Sequence, residues 1–318
     1  MLSPETIYNL LGGVRLLIPI VADAEITLEA NPGTVDSASF QGFREAGINR
    51  LSLGIQSFHD KTLQHLGRIH GRGEAIDAIV AARQAGFNNI NLDLMFGLPM
   101  QTKELALADL HTAVAHHPTH LSWYELTIEP NTLFYKQPPL LPDDDLLWEM
   151  QIAGQKYLAE QSYHQYEVSA YAKPIRQCQH NLNYWKFGDY LGIGAGAHSK
   201  ISDALHNTIV RLSKQRHPNI YLQSAHSPKV IANCTTLTVA DVILEFMMNA
   251  LRLNEGFTNQ EFTENTGLSM ACIEQTLQQA YMLGWLKKSE EKPKKVQRLC
   301  ATDTGMRFLN DLLLLFNN

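Results

Sequence analysis

Short apolar runs alternate, along most of this chain, with longer stretches whose apolar positions recur every three or four residues. Glu25-Ile26-Thr27-Leu28-Glu29 switches between polar and apolar at each step, the period of a strand with one covered face. Residues 50–57, 89–96 and 121–126 are denser runs that predict three more strands, 166–171 predicts a fifth, and 190–193 a sixth. Helical spacing occupies 36–46, 60–66, 73–84, 103–116 and 143–161 between them. The chain opens on a helix as well: Ser3 can cap it, Pro4 suits its first position, Glu5 favours its first turn, and it runs to about Leu17.

Strands alternating with helices imply parallel strands joined by right-handed crossovers. An α/β fold with an incomplete (β/α) barrel is one solution and an open doubly wound sheet the other; periodicity does not separate them. A barrel normally starts with a strand, and this chain starts with a helix, so its first strand is expected to be missing. Chemistry in such folds gathers at the carboxyl ends of the strands, where Glu29, Gln56, Asp93 and Thr127 fall. They either converge on a polar ligand or form a structural hydrogen-bond network.

Beyond Thr235 the pattern changes to helices at 239–251, from Thr258 onward, at 269–282 and at 304–316, with a hairpin around a basic turn at 292–295. That order suits a small winged-helix-like α+β domain, so the expected division is 1–225 and 226–318. Residues 269–282 carry Glu274 and neither lysine nor arginine, a poor match to a phosphate-facing surface. A protein-interaction or lid role is the expectation.

The net charge of −6 over 318 residues adds to the case against general nucleic-acid binding. Four widely spaced cysteines, Cys178, Cys234, Cys272 and Cys300, give no C-x-x-C pair and fit reduced thiols in a cytoplasmic protein. No apolar run is long enough to span a bilayer. The stretch richest in chemistry is His180-Asn181-Leu182-Asn183-Tyr184-Trp185, followed by Gly192, Gly194 and Gly196 at alternate positions and then His198. Alternating glycines can expose backbone N–H groups and admit a ligand closely. A histidine beside aromatic rings can ligate a metal and stack a flat macrocycle. The alternative is a strand with a tight bend among packed aromatics.

Several stretches in fixed order carry a resemblance: Glu29-Ala30-Asn31-Pro32-Gly33-Thr34, Gly54-Ile55-Gln56-Ser57-Phe58, Leu66-Gly67-Arg68, Asn91-Leu92-Asp93-Leu94-Met95-Phe96-Gly97-Leu98-Pro99, Leu126-Thr127-Ile128-Glu129-Pro130, the His180 to Trp185 motif, and Gly192 to Ser199. Together they resemble the HemW family, haem chaperones related to oxygen-independent coproporphyrinogen III oxidase in the radical S-adenosylmethionine superfamily. The resemblance implies S-adenosylmethionine contacts at Glu29, Gln56, Arg68, Asp93 and Thr127, and haem contact at His180 supported by Tyr184 and Trp185. It also implies a [4Fe–4S] cluster on a C-x-x-x-C-x-x-C motif that lies, in the family, ahead of the position matching residue 1. The cluster ligands are absent from this chain, which is expected to be an N-terminally truncated form unable to hold that cluster.

The expected function is therefore a haem-binding chaperone that passes haem to an acceptor protein. The rivals are an oxygen-independent coproporphyrinogen III oxidase-like enzyme, disfavoured without a ligand triad, and a nucleic-acid-binding regulator, disfavoured by charge. Homodimerisation and peripheral membrane association stay open.

Overall fold

The computed structural model describes residues 2–34, 37–291 and 296–317; the expected helix start at 36 and the basic turn at 292–295 lie outside them. The chain divides into two compact units, Met1–Cys178 and Gln179–Asn318. In the first, the order is α1 (Pro4–Leu17), β1 (Thr27–Ala30), α2 (Ser37–Glu45), β2 (Arg50–Gln56), α3 (Asp60–His65), α4 (Arg72–Gln84), β3 (Ile90–Phe96), α5 (Lys103–Ala115), β4 (His120–Glu125), α6 (Leu133–Lys136), α7 (Asp144–Glu160), β5 (His164–Glu167) and β6 (Ala170–Ala172).

These strands form one open sheet in the order β1-β2-β3-β4-β6-β5, with β1 and β5 at its ends. The first four run parallel. Every residue of β2 is buried, as expected of a parallel strand covered on both faces. Phe40 and Phe43 of α2, Ile79 of α4, Leu110 of α5 and Met150 and Leu158 of α7 cover it in a single core with Leu51, Leu53, Leu92 and Leu94. Gly154 lets α7 close on the sheet: a Cβ there would lie 2.0 Å from the Trp123 ring.

The single strand expected at 166–171 is instead a hairpin, and β6 pairs antiparallel with both β4 and β5. The cause is local. The Glu167 carboxylate accepts from the Ser169 N–H at 3.2 Å and the Ser169 hydroxyl at 3.0 Å, which folds the chain back between two buried stretches. The sheet is thus mixed rather than wholly parallel.

The second unit runs α8 (Gln179–Trp185), β7 (His198–Asp203), β8 (Thr208–Lys214), α9 (Pro218–Ser224), β9 (Ile231–Thr236), α10 (Val239–Ala250), β10 (Phe257–Thr258), α11 (Asn259–Thr266), α12 (Glu274–Met282), β11 (Leu286–Glu291), β12 (Val296–Ala301), α13 (Asp303–Arg307) and α14 (Leu309–Leu314). Two antiparallel three-stranded sheets result, β7-β8-β9 and β10-β12-β11. The second, with α11 and α12, is the winged-helix-like part. The first was not expected from sequence, and it draws the compact unit back to Gln179 from the expected boundary at 226. The helix expected at 269–282 is interrupted at buried Ile273, whose φ of −120° and ψ of 1° are not helical. Phe246, Phe257 and Phe262 stack edge-on or tilted in a core that also holds Phe187 and Leu277.

Candidate functional site

The polar strand ends of the first unit do converge. Gln56 ends β2 with φ of 68°, a left-handed turn that is costly for a residue with a Cβ. Its Oε1 accepts from the Tyr124 hydroxyl of β4 at 2.7 Å. Arg68, from the loop after α3, donates to Asn31 Oδ1 at 3.3 Å. Gly54 makes room for this: a Cβ there would lie 2.8 Å from Asn31 Oδ1 and 3.2 Å from Gln56 Nε2. The Tyr124 phenol reports the field of the group. Burial chiefly, then the Asp93 carboxylate, push it up to about 12; Arg68 and the Gln56 bond pull it down, and Glu29 pushes it up. Gln56 thus bonds this hydroxyl, and the charges of Asp93, Arg68 and Glu29 are felt at it. Thr127 is exposed after β4 and lines a cleft of about 440 Å³ that reaches Gly67, the residue before Arg68.

Behind Asp93 runs a chain of bonds that sequence reading did not single out. Asp93 accepts from Ser52 Oγ at 2.9 Å and Asn91 Nδ2 at 2.7 Å. Asn91 Oδ1 meets His120 Nδ1 at 2.6 Å, and His120 Nε2 meets the Tyr166 hydroxyl at 2.8 Å. Asn91, His120 and Tyr166 are buried, and every partner is satisfied, as a buried polar network requires. Of the two sequence alternatives for these residues, the structural hydrogen-bond network is present around Asp93. The missed residues carry a usable signal, polar side chains at alternate positions inside otherwise apolar β3 and β4.

In the second unit, the His180 motif is helix α8 rather than a strand. His180 and Tyr184 stand one turn apart, their ring centroids 6.3 Å apart and edge-on. Tyr184 in turn meets Tyr190 at 4.7 Å. Trp185 lies under the Arg252 guanidinium at 4.4 Å. Tyr184 and Trp185 line a pocket of about 470 Å³ together with Ile193, His198, Arg211 and others. Buried Lys200 fastens its back wall, donating to Phe187 O at 2.9 Å, Asp189 Oδ1 at 2.8 Å and Ser202 Oγ at 3.1 Å.

The expected strand at 190–193 reduces to one bridge between Tyr190 and Lys200. The glycine N–H groups are also not offered to a ligand. Gly192 donates to Ser199 Oγ at 2.9 Å, Gly194 to the Tyr221 hydroxyl at 3.1 Å and Gly196 to Gln215 O at 2.8 Å. Glycine is needed there for geometry: Gly194 and Gly196 have φ of 112° and 74°, and a Cβ on Gly192 would lie 2.1 Å from His198 O.

The fold and the strand-end site define the class first. Residues 3–111 match the Radical SAM superfamily and 237–308 the HemN C-terminal domain. Coproporphyrinogen III oxidase (HemN) from Escherichia coli, a radical SAM enzyme, matches the whole of this chain and 75% of its own, with a TM-score of 0.79 at 21% identity, a likeness of fold. The particular family follows from closer relatives. The heme chaperone HemW of Escherichia coli (strain K12) is 47% identical over 99% of this chain and 81% of its own length. That of Haemophilus influenzae is 45% identical over 99% and 80%, and that of Bacillus subtilis 34% identical over 85% and 71%. The chain belongs to the HemW family.

The residues present do not fit the family's iron–sulfur cluster. Buried Cys178 and Cys300 and exposed Cys234 and Cys272 form no disulfide, and no three cysteines gather among the described residues. Glu29, Gln56, Arg68 and Asp93 do offer the donor set that S-adenosylmethionine would need: a cation, carboxylates and an amide.

Proposed function

We propose that the chain binds haem on its second unit and hands it to an acceptor protein, and that it binds S-adenosylmethionine at the strand ends of its first unit. The observation that carries the first part is the 470 Å³ pocket walled by Tyr184 and Trp185, with His180 braced against Tyr184. Aromatic walls suit a flat macrocycle and an imidazole nitrogen suits its iron; His180 is not among the residues that line the pocket and joins it through Tyr184. The Arg252 cation backs the Trp185 ring and holds it in place for stacking. The chemistry of this reading is that of a carrier: binding, protection from water, and release.

The second part rests on charge. Arg68 can hold a carboxylate, Asp93 and Glu29 can hold an ammonium group or ribose hydroxyls, and Gln56 supplies an amide. Thr127 adds a hydroxyl at the neighbouring cleft. When bound, S-adenosylmethionine supplies a sulfonium-activated adenosyl group. The protein's part is to orient it: the Ser52–Asn91 bonds fix the Asp93 carboxylate before any ligand arrives.

The test is a haem titration of the purified chain. A Soret band should grow to a one-to-one end point, and His180→Ala should bind at least several-fold more weakly. An unchanged affinity in that variant removes His180 from the site, and no band with the unaltered chain removes the haem proposal.

A further inference from the structure

The second unit holds another imidazole in the pocket wall itself. His198, the first residue of β7, lines the pocket beside Tyr184, Trp185 and Ile193. Its ring is exposed and makes no hydrogen bond or ion pair among the described residues. A neutral imidazole with no protein partner at either nitrogen has a lone pair to give.

Its carrier is fixed more firmly than an exposed residue usually is. The backbone of His198 pairs with Ser213 in the β7–β8 ladder. The Gly192 backbone lies directly against its peptide, close enough that a Cβ would lie 2.1 Å from His198 O and 2.9 Å from its N. Ser199 ties the same loop down by accepting the Gly192 N–H at 2.9 Å. A ligand residue held by strand and loop together needs little reorganisation when it binds.

The other charged groups of the wall are already engaged. Arg211 donates to Glu245 Oε2 at 2.9 Å and to the Tyr190 hydroxyl at 2.6 Å. Lys200 has its three protons bonded. The rim beside His198 is apolar, with Leu191 and Ile193 largely exposed. An occupant would meet ring faces, apolar rim and one unengaged imidazole, a combination that selects a flat apolar ligand carrying a metal.

We propose that His198 is a haem-iron ligand, coordinating the metal from the wall of this pocket. The proposal rests on the haem-binding reading above and adds a residue to it.

Two porphyrins separate coordination from packing. The full chain and His198→Ala are titrated with haem and with iron-free protoporphyrin IX, circular dichroism confirming the fold of each. We expect His198→Ala to bind haem at least ten-fold more weakly, with a shifted Soret maximum restored by added imidazole, and to bind protoporphyrin IX as the unaltered chain does. Unchanged haem affinity and spectrum in His198→Ala overturn the role of His198 while leaving haem binding intact. Equal losses for both porphyrins overturn it too, since they assign His198 to the shape of the pocket. If the unaltered chain binds neither, the haem reading and this proposal fall together.

Discussion

Asp109 is a buried carboxylate on α5 whose partners lie beside the site. Its oxygens accept from Ser57 Oγ at 2.8 Å and from the Phe58 N–H at 2.6 Å, the two residues that follow left-handed Gln56. Burial is the largest influence and raises its acid to about 6 from 3.8; the two bonds, His59 and Arg72 all oppose the rise without cancelling it. A carboxyl raised in the folded state binds protons there that the unfolded chain has released. Its contribution to stability therefore falls as pH rises from about 4 to about 6 and is level above that. A shift of this size corresponds to about 3 kcal/mol. Asp109→Asn keeps an acceptor for Phe58 and cannot ionise, so urea unfolding between pH 4.5 and 7 should show it gaining on the unaltered protein as pH rises. Asp109→Ala, which strands a buried N–H, should instead cost about 1–3 kcal/mol at pH 7. A constant difference between Asp109→Asn and the unaltered protein across that range would mean the carboxyl titrates normally.

Among the elements, those with strong local signals were legible in the sequence. Ser3 Oγ does accept from Thr6 N at the start of α1, and Thr258 with Glu261 forms the capping box of α11. The apolar runs of β2, β3 and β4 lie within a residue or so of their expected bounds. What escaped depends on distant partners. β9 is Ile-Ala-Asn-Cys-Thr-Thr, mostly exposed, and no apolar alternation marks it; pairing with β8 makes it a strand. The turn between β5 and β6 hides in an apolar run because Glu167, not glycine or proline, closes it. The glycines of the 192–196 loop were visible, but their use was not: they serve backbone contact, not ligand contact. Gly192→Ala places a methyl into the His198 carbonyl with no flexible side chain to yield, so it should lower the thermal midpoint and abolish haem binding. Gly12, inside α1 with nothing within 4 Å of a built Cβ, makes the contrast. Gly12→Ala should stabilise by roughly 0.5–1 kcal/mol. A Gly192→Ala protein that melts and binds haem normally would show the loop can shift without cost.

At the scale of the whole molecule, the proposed S-adenosylmethionine site is a product of topology. Glu29, Gln56, Arg68 and Asp93 are spread over sixty-odd residues of sequence, and parallel pairing in the order β1-β2-β3-β4 sets the strands that carry Glu29, Gln56 and Asp93 side by side. Glu29 and Gln56 could be placed from periodicity, because a polar residue at or next to the end of an apolar run stands out, whereas Asp93 lies in the middle of β3. Arg68 could not: it sits in a loop with no period, and only the Leu66-Gly67-Arg68 resemblance marked it. In the structure its tie to the sheet is the bond to Asn31, and Asn31 fits only because residue 54 has no side chain. If Arg68 holds the carboxylate of S-adenosylmethionine, losing that charge-assisted contact costs about 1.5–3 kcal/mol, which is roughly ten-fold to a hundred-fold in affinity. Equilibrium dialysis with labelled S-adenosylmethionine should show that loss for Arg68→Ala and a smaller one for Arg68→Lys, which keeps the charge without the planar fork. Haem binding, proposed for the second unit, should be untouched in both variants. Equal retention of S-adenosylmethionine by Arg68→Ala and the unaltered chain would leave Arg68 as a brace for the Asn31 turn, and the carboxylate would need another partner.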